Sequence, residues 1–156
     1  MNQLRRAFLK NAGAVGAAAV AIAAGLLKPG AAIAAAWNSL AFTAKDTVEA
    51  LKNAGYGGAT ESSDILIKAP DIAENGAVVP VSATSNIPGT TSIAIFVDKN
   101  PSPMIADFKF SNGAEPYIST RIKMAKTSLV WVAVNAGGKN YTSSREVKVT
   151  IGGCGG

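Results

Sequence analysis

The chain of 156 residues contains no histidine and a single cysteine. Without imidazole, the Ser–His and Cys–His nucleophilic pairs of many hydrolases cannot form, and the commonest zinc and copper sites lose their usual ligand. One thiol alone cannot build a cysteine-rich metal centre, and it cannot form the intersheet disulfide of antibody domains. These absences exclude most of the enzyme chemistry that so small a chain could carry out by itself.

Loops that bind phosphate or calcium are also missing from the sequence. The glycines between Gly55 and Gly58 do not lie between a strand and a helix, and they are better explained as a helix stop. The ten acidic residues show no spacing of a calcium loop. Asp71 and Glu74, near Asn75, are most simply a solvated turn. The sequence therefore contains no recognisable loop for a phosphate group or a calcium ion.

Residues 1–36 have the three parts of a secretory signal. A basic start is followed by an apolar stretch over 12–27, and small residues then lead to a cleavage site. The pair Arg5-Arg6, followed by Phe-Leu-Lys, resembles the twin-arginine signal that exports folded proteins. The segment therefore predicts export to the periplasm.

A transmembrane anchor is the alternative for this segment. The apolar stretch is rich in alanine and glycine, and about 16 residues is short for a span. We therefore expect cleavage, after Ala36 or Ala34, and a mature protein without a membrane segment.

Removal of the signal changes the charge balance. Four of the fifteen basic residues lie in the signal, so eleven basic and ten acidic residues remain and the mature net charge is +1. A nearly neutral protein gives no electrostatic reason to bind nucleic acid or a membrane surface. The mature chain has the length of one domain with one core.

The first part of the mature chain predicts one helix over 37–55. Thr43 is the expected N-cap and Gly55 the expected C-cap. Val48 and Leu51 are three residues apart, so they share one face of this helix. We expect Trp37, Leu40 and Phe42 to help dock this element on the rest of the domain.

From residue 64 onward apolar residues alternate with polar ones, which is the period of β-strands. Seven segments rich in Val, Ile, Thr and aromatic residues are separated by turn signals. They are 65–67, 78–83, 92–97, 105–110, 117–123, 129–135 and 141–151. The pattern predicts a mainly β protein with an immunoglobulin-like antiparallel β-sandwich of about seven strands. The helix and the sandwich together form one domain over residues 37–151. Pro80 indicates an edge strand or a bulge.

The chain ends in the glycine-rich segment 152–156, which contains the only cysteine. Cys154 is flanked by Gly152, Gly153, Gly155 and Gly156. Glycine packs poorly and loses the most conformational freedom on ordering, so the segment is a better flexible arm than a core element. Fully extended, the arm places the sulfur about 10 Å beyond the last predicted strand. A thiol so placed can hold a sulfur-containing group through an exchangeable S–S bond and present it to another protein.

Other uses of Cys154 remain open on residues alone. An exported immunoglobulin-like domain with a structural or adhesive role could use the thiol for an intermolecular disulfide. A redox enzyme acting directly through Cys154 is a weaker alternative, because the chain has neither a second cysteine nor a histidine. The arm also carries no charged neighbour that would lower the pKa of the thiol.

The twin-arginine-type signal, the helix plus β-sandwich and the ending Gly152-Gly153-Cys154-Gly155-Gly156 together resemble SoxY. This family comprises the sulfur-carrier subunits of the bacterial thiosulfate-oxidising Sox system. The resemblance spans the whole chain, and the terminal motif is its most specific part.

The resemblance implies a function and a set of partners. Cys154 would carry thiosulfate-derived intermediates in the periplasm, and the protein would be a carrier without catalytic activity or cofactor of its own. It would form a heterodimer with SoxZ, a second β-sandwich protein. Transient partners would be SoxAX, which attaches thiosulfate, SoxB, which releases sulfate, and SoxCD-type enzymes, which oxidise the remaining sulfur.

Four apolar residues are candidates for a surface that contacts SoxZ. They are Trp131, Val132, Val134 and Tyr141. The sequence over 130–132 is apolar on both sides of its predicted strand, so one side has the character of an interface. An ordinary place in the sandwich core is the alternative for each of them.

Overall fold

The computed structural model describes residues 38–150, which form two short helices followed by nine strands. The helices are α1 (Ser39–Thr43) and α2 (Thr47–Asn53). The prediction of one uninterrupted helix was therefore wrong. Each helix has its own N-cap, because the side chain of Asn38 accepts from the amide of Ala41 and that of Asp46 accepts from the amide of Glu49.

Thr43 is not an N-cap. It is the last residue of α1, and its hydroxyl donates to the carbonyl of Ser39 at 2.8 Å. Of the two residues predicted to share one face, Val48 is 77% exposed, whereas Leu51 packs against the hydrophobic core. Of the residues predicted to dock the element, Phe42 packs against the same core and Leu40 is exposed. The helices instead bury small residues, which allow the backbone to approach the sheet closely: Ala41, Ala44 and Ala50.

Gly55 ends α2 as predicted. Its φ is +88°, the left-handed region that glycine enters without steric cost. Its amide donates to the carbonyl of Lys52, and the next amide, that of Tyr56, donates to the carbonyl of Leu51. This turn brings Tyr56 onto the sheet.

All seven predicted strands are present, with ends within two residues of those expected wherever both ends are described. Two short strands, β1 (Thr60–Glu61) and β3 (Ile72–Ala73), were not predicted. The longer strands are β2 (Ile65–Lys68), β4 (Val79–Ser85), β5 (Thr90–Val97), β6 (Met104–Lys109), β7 (Tyr117–Ile122), β8 (Ser128–Ala136) and β9 (Lys139–Val149).

The strands form two sheets, as expected for a sandwich. The smaller sheet has the order β2-β4-β7, and the larger has the order β1-β9-β8-β5-β6, with β3 also paired to β9. All pairs between the longer strands are antiparallel, whereas β1 and β3 run parallel to β9. The mainly β, two-sheet fold with a helical N-terminal part is confirmed.

The hydrophobic residues form two clusters, one on each face of the larger sheet. The main cluster lies between the sheets and takes alternate residues of β8, among them Val130, Val132 and Val134. The second cluster joins the opposite face, including Phe96, to the helices. The larger sheet is thus covered on both faces, which explains the continuous apolar character of β5 and β8.

Pro80 lies in β4, the central strand of the smaller sheet, so the prediction of an edge strand was wrong for β4 as a whole. Pro80 pairs with Arg121 of β7, but the pairing with β2 covers only Ser82 to Ser85. The residue therefore occupies a position where β4 has a neighbour on one side, and this is where proline is tolerated.

Over residues 38–150, neither helix has the length and apolar character that a membrane span would need.

Candidate functional site

Cys154 and its neighbours Gly152, Gly153, Gly155 and Gly156 lie outside the described residues, as do residues 1–37. Their assignment as carrier thiol and flexible arm stays a prediction. The structure does describe the end of β9 up to Thr150, which is the point of the domain from which the arm continues in sequence.

One edge of β9 is paired with β3 at this point. The register places Ile72 opposite Lys148 and Ala73 opposite Val149. The amide of Lys148 donates to the carbonyl of Asp71 at 3.0 Å, and the amide of Thr150 donates to the carbonyl of Ala73 at 3.1 Å.

Side chains add to the contacts on this edge. The hydroxyl of Thr150 donates to the carbonyl of Glu74 at 3.0 Å. Farther back on β9, Nη2 of Arg145 lies 2.6 Å from Oδ1 of Asp71. The segment 71–74 is thus bound to β9 by main-chain and side-chain contacts.

The other edge of β9 is completed by a side chain. The backbone pairing of β8 with β9 ends at Ser128 opposite Val147. Beyond it, the hydroxyl of Thr127 accepts from the amide of Val149 at 2.9 Å and lies 3.4 Å from the carbonyl of the same residue. Because a hydroxyl can both donate and accept, Thr127 serves the amide and the carbonyl of Val149, as the backbone of a neighbouring strand would.

The residues proposed as an interface with SoxZ are mostly internal. Val132 and Val134 are fully buried in the main cluster, and Tyr141 packs against that cluster. The alternative, a place in the sandwich core, is therefore the correct one for Val132 and Val134 of β8, and Tyr141 of β9 is partly buried against the same core.

Trp131 lies on the opposite face of β8 and packs against the second cluster. It contributes to a groove of about 340 Å³ beside α2, whose lining includes Val48, Leu51, Tyr56 and Thr142. Thr142 is near the start of β9, about 26 Å along the strand from Thr150. The groove is therefore remote from Thr150, the last described residue before the arm.

A polar cluster anchors the helical segment to the larger sheet. The hydroxyl of Tyr56 is hydrogen-bonded to Oγ of Ser92 at 2.7 Å and to Oδ1 of Asp107 at 2.8 Å. Nζ of Lys109 lies 2.8 Å from the other oxygen of Asp107 and 5.8 Å from the centre of the Tyr56 ring. Burial and the nearby Asp107 charge raise the pKa of Tyr56 far above its ordinary value.

This cluster holds the phenol in its neutral form, so it is a structural anchor rather than an acid–base site at neutral pH. Within the part of the chain that the structure describes, no three His, Cys, Asp or Glu residues lie close enough to hold a metal ion.

Comparison with known proteins assigns the chain to a family. The model of the family described as sulfur oxidation protein SoxY matches residues 52–154, which is more than half of the chain and includes Cys154. The chain belongs to the SoxY family. The resemblance inferred from the terminal motif is thereby confirmed.

A solved structure supports the family and the fold. The sulfur carrier protein SoxY from Chlorobium limicola f thiosulfatophilum is 52% identical, with a TM-score of 0.57; the match covers 63% of this chain and 91% of that chain.

A chain from a structure of T cell recognition of the bacterial superantigen toxic shock syndrome toxin-1 is 11% identical, with a TM-score of 0.38. That match covers 55% of this chain and 98% of the other, and at this similarity it carries no argument. No curated protein matches the chain.

Sequence reasoning missed Thr127, Thr150 and the segment 71–74 as contacts at the end of β9. Two-residue strands have no detectable alternation, and a threonine that completes a strand edge looks like any other threonine in a loop. The available signal was weak: Thr127 immediately precedes a strand and Thr150 immediately precedes the arm.

Proposed function

We propose that this SoxY-family protein is a periplasmic carrier that holds thiosulfate-derived intermediates covalently on Cys154. The observation that carries the proposal is the family match over residues 52–154, which ends at the only cysteine of the chain. The glycines on both sides of Cys154 support it, because they leave the sulfur unobstructed in a narrow channel of a partner enzyme.

The first step of the proposed cycle is oxidative. The thiolate of Cys154 and the terminal sulfur of thiosulfate form an S–S bond, and the two electrons released pass to the haem-containing enzyme SoxAX. The thiol proton goes to solvent. The product is a cysteine S-thiosulfonate, which is bound covalently and therefore does not diffuse away.

The second step is hydrolytic. SoxB adds water to the terminal sulfone, so that the bond between the two outer sulfur atoms breaks, sulfate leaves and a persulfide remains on Cys154. SoxCD-type enzymes, where present, then oxidise the remaining sulfane sulfur. In this scheme the carrier contributes attachment and positioning, and it has no catalytic activity or cofactor of its own.

Two further assignments belong to the same proposal. The protein acts as a heterodimer with SoxZ, and it reaches the periplasm through the twin-arginine-type signal of residues 1–36. The paired Arg5-Arg6 supports export, and the family supports a Sox partner. Replacing both arginines with lysine should retain the precursor in the cytoplasm, which cell fractionation would reveal.

Intact-mass spectrometry tests the carrier function. The mature protein with SoxZ is incubated with thiosulfate, SoxAX and an electron acceptor, and its mass is measured before and after a mild reductant. We expect a mass increment of one thiosulfate-derived group that the reductant removes, and that is absent from the Cys154→Ser variant.

A different spectrum would contradict the proposal. If wild-type protein remains an unmodified thiol, or forms only protein–protein disulfides, Cys154 is not a sulfur carrier. Disulfide-linked species alone would favour the structural or adhesive role.

A further inference from the structure

We propose that Thr127 and the segment 71–74 form a clamp on the end of β9 that fixes where the carrier arm begins. The clamp consists of Thr127 on one edge of β9 and Asp71, Ala73 and Glu74 on the other. Thr127 and Thr150 are then positioning residues for the carrier, and this inference rests on the proposed function.

The contacts of the clamp continue past the end of the backbone ladder between β8 and β9. That ladder stops at Val147. The next three residues of β9 and its extension are nevertheless bound: Lys148 to Asp71, Val149 to Thr127 and Thr150 to Ala73 and Glu74. Every amide from 148 to 150 therefore has a named acceptor.

Two residues of this region also contact the main cluster, because Ala73 is buried in it and Val149 packs against it. The polar contacts themselves lie mostly outside that cluster. Lys148 and Thr150 are exposed, and Val149 and Thr127 are half-buried. The end of a strand whose neighbouring residues are exposed opens more readily than a strand in the core. Hydrogen bonds on both edges of the same short segment are a specific means of keeping it in place, since side chains are used where no further strand is available.

The position of the clamp sets the length of the arm. With Thr150 held, the arm counted along the sequence from the clamp to Cys154 has four residues, 151 to 154. If the segment frayed back to the end of the β8 ladder, that number would rise to seven. The effective concentration of a group on a flexible arm falls as about the −3/2 power of the arm's length. The longer arm would therefore lower the effective concentration of the thiol at the channel entrance of a docked enzyme roughly twofold.

A pair of matched variants tests the clamp. Thr127→Val removes the hydroxyl and keeps the β-branched shape, whereas Thr127→Ser keeps the hydroxyl. The single cysteine allows a spin label to be attached at Cys154 without other changes. Hydrogen exchange of the amides from 148 to 150 reports the clamp directly.

For Thr127→Val we expect faster exchange at all three amides and a more mobile spin label. We also expect roughly a twofold rise in the KM of SoxAX for the carrier, with kcat unchanged. Thr127→Ser should match the wild type in each measurement. If Thr127→Val fails to fold, Thr150→Val replaces it, because residue 150 is exposed and the change there is tolerated more easily. It should also give faster exchange, a more mobile spin label and a higher KM.

Unchanged label mobility and unchanged KM in folded Thr127→Val and Thr150→Val would overturn the clamp. Failure of the clamp and failure of the proposed carrier function give different results. If Cys154 forms no thiosulfate adduct in the wild type, the proposed function fails, while exchange and label mobility still decide whether the clamp exists.

Discussion

The hydroxyl of Tyr56 lies 2.8 Å from Oδ1 of Asp107, a residue 51 positions farther along the chain. Tyr56 follows the turn that ends α2, and Asp107 lies in β6. The contact therefore joins the helical segment to the larger sheet. The Tyr56 ring also meets Phe96 edge to face, with 6.4 Å between the ring centres, so polar and apolar contacts act at the same point.

Tyr56→Phe should destabilise the domain by about 1–2 kcal/mol, because the ring is kept while buried Ser92 loses a hydrogen-bond partner. Chemical denaturation gives the free energy of unfolding. The matched control is Tyr117→Phe, at an exposed position, which should change that free energy little. Equal effects of the two changes would contradict the anchoring role.

Alkaline pH should reveal the same anchor. The pKa of Tyr56 is raised in the folded protein, so above about pH 10 the unfolded chain loses the proton while the folded protein keeps it. Stability should then fall with rising pH by up to about 1.4 kcal/mol per pH unit from this group. The fall should be smaller in Tyr56→Phe. If the free energy of unfolding falls equally with pH in the wild type and in Tyr56→Phe between about pH 9 and 11, the pKa of Tyr56 is not raised by folding.

Gly55→Ala should destabilise the domain by about 1–2 kcal/mol, because an alanine at φ +88° is strained although no atom lies within 4 Å of its Cβ. Gly57→Ala is the control, since Gly57 has no positive φ and its added Cβ would meet Lys52 at an ordinary 3.6 Å. Thermal unfolding of both variants measures the difference. The argument fails if Gly57→Ala is the more damaging change.

Most of the fold follows from local patterns in the sequence. The seven longer strands alternate or are continuously apolar, so their positions could be predicted, and so could the stop at Gly55. The break in the helical segment could not, because its buried residues are Ala41, Ala44 and Ala50, which carry no amphipathic signal of their own; the larger Phe42 and Leu51 are only partly buried. Tertiary contacts, not periodicity, decide which face is buried there.

Part of the candidate site could likewise be predicted from the sequence, and part could not. Cys154 and its glycines are visible as a motif because their chemistry is unusual for a chain end. The candidate interface residues of β8 could not be separated from core residues, because a strand that is apolar on both faces has two explanations. Here Val132 and Val134 pack between the sheets, and Trp131 packs against the cluster that includes the helices of the same chain. Sequence alone does not distinguish an internal neighbour from a partner protein.

Trp131→Phe should leave the free energy of unfolding within about 1 kcal/mol of the wild type. The indole Nε1 is buried and has no hydrogen-bond partner in the part of the chain that the structure describes, so its removal relieves a desolvation cost of about 1–3 kcal/mol. The relieved desolvation cost offsets the stability that is lost because phenylalanine buries a smaller ring than tryptophan. Trp131→Ala, which removes the ring, should cost about 3–5 kcal/mol. A comparable large loss in Trp131→Phe would indicate that the indole N–H is paired.

Gly153→Val tests the steric argument for glycine beside the carrier thiol. A valine next to Cys154 leaves the sulfur chemically intact but adds a branched side chain to the part of the arm that, in the proposed function, enters a partner enzyme. We expect the thiosulfate-dependent electron transfer rate to fall by about tenfold or more, which corresponds to about 1.4 kcal/mol in the barrier. Gly153→Ala, with a smaller side chain, should give an intermediate rate.

Alkylation by a small reagent separates entry from reactivity in these variants. Because the arm carries no charged neighbour that tunes the thiol, iodoacetamide should react with Cys154 at the same rate in Gly153→Val and the wild type. A slow enzyme reaction together with normal alkylation places the defect at entry into the partner. Full enzymatic activity of Gly153→Val would show that the channel tolerates a side chain, and slowed alkylation would show that the valine acts on the thiol itself.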